Sequence, residues 1–234
     1  MNSEERLTDV PPDYENYDYT MEWAQKQIED LAEKKLLESW IREKPGESCL
    51  ELGGRFGRLT ELFQRHFAKV VMVDFSNLNI RRASRRASDA SILRSELHSL
   101  PFKDSSFDYV FMIRVVHHLS EPLSVKDEIQ RVSRDGATVI ISAPNPIFGK
   151  HRRIRSNTLV GQGEYGHKIY AAPLDYYRRS QLIEESRRGT GIFENSLGFK
   201  LRKMKSLYLT DVLSSRLYFL KPNVFLKFRV TKIS

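Results

Sequence analysis

Between Ser48 and Asp74 the chain reads SCLELGGRFGRLTELFQRHFAKVVMVD, which sets two carboxylates, Glu51 and Asp74, on either side of a glycine-rich turn. Glycines at 53, 54 and 57 let backbone N–H groups approach a ligand closely, and a helix starting there adds partial positive charge. A carboxylate ending the next strand is placed to accept two ribose hydroxyls. The chemistry on offer is nucleotide binding. A dinucleotide turn requires G-x-G-x-x-G, and after Gly53 the next two glycine positions hold Arg55 and Arg58, which argues against a nicotinamide dehydrogenase.

The elements that must position these groups follow from periodicity. Cys49–Leu52 is a short apolar strand, Leu59, Leu62, Phe63 and Phe67 fall on one helical face, and Val70–Val73 is a second strand. Further strands are expected at Ser91–Arg94, Tyr109–Ile113 and Ala137–Ser142. Runs this apolar, alternating with helices, indicate a parallel sheet covered on both faces. His117 and His118 open a predicted helix that continues through Pro122 to about Arg134. Beyond Pro146 the alternation lapses into a long basic segment, residues 147–170, followed by a predicted helix near Leu174–Arg188 and a strand near Lys200–Leu209. The later part of Tyr218–Val230 reads as the last strand. Ahead of the sheet, residues 1–18 form a polar arm and Tyr19–Arg42 one or two amphipathic helices with Trp23, Ile28, Leu37 and Trp40 as contacts, closed by Lys44-Pro45-Gly46.

Two segments carry a resemblance to a known family. Glu51, Gly53 and Gly57 fit the acid-x-Gly-x-Gly-x-Gly of motif I in class I S-adenosylmethionine-dependent methyltransferases, with Arg55 in place of the middle glycine. The second segment runs from Glu96 through Leu100-Pro101-Phe102, Ser106-Phe107-Asp108 and a strand to His117-His118-Leu119. The whole is similar to the small-molecule, methyltransferase type 11-like branch and covers residues 46–145. It implies an α/β fold: a Rossmann-like, seven-stranded, mostly parallel sheet with helices on both faces, an antiparallel last pair and an N-terminal helical cap. Residues 1–45 would be arm and cap, and 46–234 the methyltransferase domain, with a substrate-recognition insertion at about 147–180.

The resemblance also implies a cofactor and roles. S-adenosylmethionine would be held by Glu51, Gly53, Gly54, Arg55 and Gly57, with Asp74 on the ribose, Phe75 beside the adenine, and Glu96 and Leu97 reading its edge. Ile113 would face the methionine moiety. Substrate candidates are Arg114, His118, Arg152, Arg153 and His167, joined by Lys150 and Arg155, and Tyr14, Tyr17 and Tyr19 are candidates for a lid. His117 is the best-placed general base if the acceptor arrives protonated. The implied reaction is methyl transfer to an unidentified small molecule, an acidic one suiting the basic segment. A catalytically degenerate binding module and an RNA-directed methyltransferase stand as alternatives.

Composition bounds the rest. The 234 residues carry a net charge of +8, but residues 1–50 hold 6 Lys+Arg against 13 Asp+Glu, or −7, leaving 32 against 17, or +15, for the remainder. That segregation means internal pairing or an anionic partner, nucleic acid included. Cys49 is the only cysteine, so no disulfide or cysteine metal site forms within a monomer, and the six histidines show no metal-ligand spacing. The polar N-terminus is no signal peptide, no run is long enough to span a membrane, and a cytoplasmic protein is expected. Nothing in the pattern sets an oligomeric state. Arg81 to Ser88 writes Arg-Arg-Ala-Ser twice, which reads as a phosphate-contacting patch, a phosphorylation site at Ser84 or Ser88, or a solvated helix face.

Overall fold

The computed structural model describes residues 19–24, 26–145, 159–162, 168–170, 181–190 and 223–232. Helices α1 (Tyr19–Ala24) and α2 (Gln27–Glu43) lead into β1 (Ser48–Leu52), α3 (Thr60–Phe63), β2 (Lys69–Asp74), α4 (Asn77–Arg86) and β3 (Ser91–Arg94). Then come β4 (Phe107–Ile113), a 3-10 turn (Val116–His118), α5 (Pro122–Val132), β5 (Ser133–Pro144), the hairpin strands β6 (Leu159–Gln162) and β7 (Lys168–Tyr170), β8 (Leu182–Thr190) and β9 (Asn223–Val230).

Seven strands form one sheet in the order β3-β2-β1-β4-β5-β9-β8. The first five are mutually parallel, and β9 runs antiparallel to both neighbours, so it alone is reversed. This is the Rossmann-like sheet expected from the sequence. Strand alternation sends Leu50, Leu52, Val110, Met112, Val139 and Ile141 to one face, where α5 contributes Val125 and Ile129. Cys49, Tyr109, Phe111 and Ile140 go to the other, covered by Leu37 and Trp40 of α2 and by Phe63 of α3. Phe63 stacks on Phe111 at 4.1 Å between ring centroids, an aromatic contact in the middle of that layer.

Two elements differ from expectation. Leu182–Thr190, read from sequence as part of a helix, is an edge strand paired with β9 along its length. Its period-2 pattern is visible in Leu182, which is buried, and Ile183, which is 55% exposed, so tertiary pairing overrode the local helical preference. The second difference concerns the histidines: the helix expected from His117 starts only at Pro122, leaving both in the separate 3-10 turn. The strand expected at 200–209 lies outside the described residues.

The chain order reverses between β1 and β4, the two strands flanking the crevice where open α/β sheets bind ligands. The N-terminal helices reach this crevice through a buried charge cluster. Glu33 of α2 is fully buried and accepts from Arg58 Nη2 at 2.7 Å and from Arg114 Nε at 2.7 Å. Burial opposes ionisation, yet Arg114 and Arg58 hold the Glu33 carboxyl below the usual carboxylate range. Asp30, one turn earlier, pairs with Arg58 and with Lys34. Removing one partner of a buried pair leaves uncompensated charge. Glu33→Ala is therefore expected to cost about 3–5 kcal/mol, read from the urea midpoint at constant m-value. A cost below about 1 kcal/mol, the range of an exposed pair, would show that the cap is held elsewhere.

Candidate active site

The glycine turn after β1 is shaped by what surrounds it. Gly53 (φ +68°) donates to Val73 O at 2.8 Å, and a Cβ there would lie 2.6 Å from Val115 Cγ2. Gly57 (φ +79°) lets the turn close onto α4, where a Cβ would meet Ala83 Cα at 3.0 Å. Both positions exclude any larger residue. Arg55, at the position of the missing middle glycine, also takes a left-handed backbone, φ +54°. For a non-glycine residue that conformation costs on the order of 1–3 kcal/mol and persists only where neighbours enforce it.

Asp74 is the enforcing neighbour. Its carboxylate is 5% exposed and accepts Arg55 N–H at 2.8 Å on Oδ2 and Ser76 N–H at 2.9 Å on Oδ1, with the Asn79 amide at 3.4 Å. Burial pushes the Asp74 carboxyl up, against the pull of those hydrogen bonds. The acid expected to face a ribose thus also ties the turn after β1 to the start of α4. Glu51 is buried beneath the same turn and accepts from Thr60 Oγ1 at 2.5 Å. Burial pushes Glu51 up to about 7, with Thr60 and Arg58 opposing and Asp74 adding to the rise.

A pocket opens over this turn, walled by Glu51, Gly53, Gly54, Arg55, Ile113 and Arg114 from the residues singled out in the sequence, and by Trp23, Phe56, Arg58 and Leu59. Across it Arg55 Nη2 donates to Arg114 O at 3.2 Å, linking the β1 turn to the loop after β4. Arg114 itself has φ +59°, and its N–H donates to Ser142 Oγ at 2.8 Å. Its side chain, expected to meet substrate, is turned back onto Glu33. Phe75, Glu96 and Leu97 lie past the ends of β2 and β3, outside these walls, and Arg94 sits 5.0 Å from the centre of the Phe75 ring. His117 and His118 lie with ring centroids 4.0 Å apart in the 3-10 turn, against which β7 packs. Tyr14, Tyr17, Lys150, Arg152, Arg153, Arg155 and His167 lie outside the described residues, as does the Tyr19 side chain.

Trp23 and Arg58 are wall residues that pattern reading assigned to packing or left aside. The Arg58 guanidinium lies 3.6 Å from the centre of the Trp23 ring and that of Arg114 5.0 Å from it, so the indole is a platform for two cations. Trp23 Nε1 is buried without a hydrogen-bond partner among the described residues. One signal was available: Glu29 and Glu33 share the buried face of α2 with Ile28, Ala32, Leu36 and Leu37. A carboxylate on an apolar face requires a buried cation.

Residues 50–141 match a family described as a methyltransferase domain. The demethylmenaquinone methyltransferase of Renibacterium salmoninarum is 26% identical over 128 residues, 54% of this chain and 54% of that one. The chain spans between about a third and just over half (34–54%) of the length of the first curated relatives it matches. Among solved structures, an S-adenosylmethionine-dependent methyltransferase from Thermotoga maritima superposes with a TM-score of 0.68 at 15% identity, covering 93% of this chain and 97% of that one. The N-methyltransferase NodS of Bradyrhizobium japonicum, in complex with S-adenosylhomocysteine, gives 0.58 at 15% identity, with 97% and 91% covered. At that identity the likeness is one of fold, and the fold places the clamped glycine turn at the switch point. Residues 50–141 are thus similar to a methyltransferase domain, and the described sheet has the fold of the S-adenosylmethionine-dependent methyltransferases on which it superposes.

Proposed function

We propose that the chain binds S-adenosylmethionine over the Gly53–Gly57 turn and transfers its methyl group to a small-molecule acceptor. The observation that carries this reading is the turn itself: left-handed at Gly53, Arg55 and Gly57, clamped by Asp74, and opening onto a cavity at the strand-order reversal. The residues fit the cofactor. Gly53 lines the pocket with bare backbone where a side chain would collide with Val115, Glu51 stands in the wall for a ligand ammonium, and the unpartnered Trp23 indole N–H offers a donor. Asp74 keeps acceptor capacity for a ribose, each carboxylate oxygen having two lone pairs. Phe75, Glu96 and Leu97 are assigned the adenine end.

When bound, the cofactor supplies a methyl group already activated on a sulfonium. What remains for the protein is positioning and exclusion of water. Trp23 and Ile113, both nearly buried, wall the cavity with apolar surface, and Arg55 bridges its two loops. His117 is assigned as general base for an acceptor that must lose a proton, with His118 and Arg114 on the acceptor side. We place acceptor recognition in residues 147–180, where Arg152, Arg153 and His167 suit an acidic molecule, and keep residues 1–45 as arm and cap over the domain of residues 46–234. On the strength of the Renibacterium relative, demethylmenaquinone belongs in the first acceptor screen. The catalytically degenerate module remains as a second reading because Arg55 occupies the close-approach position.

Calorimetric titration with S-adenosylmethionine and S-adenosylhomocysteine, NADH serving as control, is expected to give micromolar binding of the adenosyl ligands only. Asp74→Asn keeps one acceptor for the turn while removing the charge, and is expected to weaken binding at least tenfold with the fold intact by circular dichroism. A folded wild-type protein that binds neither adenosyl ligand would end the cofactor assignment. Binding without turnover across the acceptor screen would favour the degenerate module.

A second expectation concerns pH. A ligand ammonium near Glu51 stabilises its ionised form, so the complex holds fewer protons than the free protein at neutral pH. Affinity for S-adenosylhomocysteine should rise as the pH is raised towards about 7 and level off above it, and Glu51→Gln should flatten that rise. An identical pH profile in the variant would show that Glu51 does not sense the ligand.

A further inference from the structure

Helix α4 carries a charge pattern that neither the sheet nor the cavity requires. Its sequence, NLNIRRASRR, contains four arginines and no acid. Arg81 and Arg85, like Arg82 and Arg86, stand at i and i+4, where like charges destabilise a helix by a few tenths of a kcal/mol per pair. From residue 75 to residue 95 the chain holds 5 arginines against one acid, Asp89, a net +4, with no lysine among them. The inner face of the helix accounts for none of this, because what it buries is Asn79 and Ala83.

Part of the charge is absorbed by the fold. Arg86 pairs with Glu61 at 2.8 Å, and Arg94 donates to Phe75 O at 3.1 Å. Arg81 and Arg85 are exposed and, among the described residues, make no hydrogen bond, ion pair or ring contact. They lie one turn apart on the outward face; beside them Ser84, whose hydroxyl donates to Ile80 O, and Ser88, just past the helix and donating to Asp89, are also exposed.

We propose that this face of α4 is a docking stripe for the phosphodiester backbone of a nucleic acid. Arginine suits phosphate because its planar fork binds two oxygens at once. An anionic membrane is the competing surface, and the structure disfavours it. Membrane-lying helices bury an apolar face in the headgroup region, whereas among the described residues the large exposed apolar side chain beside α4 is Leu93 alone, on the adjoining edge strand. The nucleic acid is a bound partner here, separate from the methyl acceptor, and the stripe stands apart from the cavity walls.

The test is fluorescence anisotropy with labelled single- and double-stranded RNA and DNA, repeated across salt concentrations on the full chain. Expected is binding whose logarithm falls linearly with the logarithm of salt. For a single strand the slope should shrink by about 1.4 when Arg81→Gln and Arg85→Gln are combined, about 0.7 for each phosphate no longer neutralised. Preference for RNA, or equal binding of RNA and DNA, both support the stripe and tell which polymer it serves. An unchanged slope in the folded double variant would overturn the assignment. So would no binding at low salt, or capture by phosphatidylcholine–phosphatidylserine vesicles without any binding of the oligonucleotides. S-adenosylhomocysteine titration of the same variant separates this outcome from failure of the cofactor reading, since the stripe does not line the cavity.

Discussion

One buried carboxylate holds the site together. Asp74 accepts the Arg55 N–H from the turn after β1 and the Ser76 N–H at the entry to α4, joining two β-to-helix corners that sequence separates by about twenty residues. A buried acid without those donors would be unstable as an anion, and the two N–H groups without the acid would be left unsatisfied. Each half therefore requires the other. The closeness of the corners follows directly. With Asp74 between them, α4 approaches until Ala83 Cα would lie 3.0 Å from a Cβ on Gly57, and the left-handed Arg55 is locked in place.

The second constraint is electrostatic and accounts for part of the uneven charge along the chain. Acidic residues of the N-terminal segment are internal partners for cations of the body: Asp30 and Glu33 for Arg58, Glu33 for Arg114, and Glu43 for Lys227 at 2.6 Å. The three lie on one helix, α2, which is thereby fixed over the sheet face that its Leu37 and Trp40 already cover. Hydrophobic burial alone is non-directional and would leave the helix free to slide. Charge pairing with Arg58 after the β1 turn, Arg114 after β4 and Lys227 of β9 sets where it stops, with Trp23 at the edge of the pocket.

The sheet was legible because its signals are local. Strands β1, β2, β4 and β5 are short apolar runs, and the turn is written in glycines at 53, 54 and 57. Glu51, Gly53, Gly54, Arg55, Ile113 and Arg114 converge on one cavity as their positions at strand ends demand. What sequence did not reveal depends on contacts between distant segments. The direction of the Arg114 side chain is decided by a glutamate 81 positions away, and the strand character of residues 182–190 by pairing with β9. Trp23 was visible as an apolar contact, but nothing local says that the surface it packs against is a ring of guanidinium groups.

Arg55 shows how a departure from a motif can be absorbed. The position calls for glycine because the backbone is left-handed, and the cost of a side chain there is offset by the Asp74 acceptor and by the bridge to the Arg114 carbonyl. That bridge joins two walls of the pocket over the turn. Glycine would leave the two loops independent, whereas arginine couples the turn after β1 to the loop after β4, which in turn is held by Glu33 of the cap. The turn after β1, the loop after β4 and the seating of the N-terminal helices thus share one set of contacts, and the motif residue that looks like a defect in the sequence is, in the structure, the link between them.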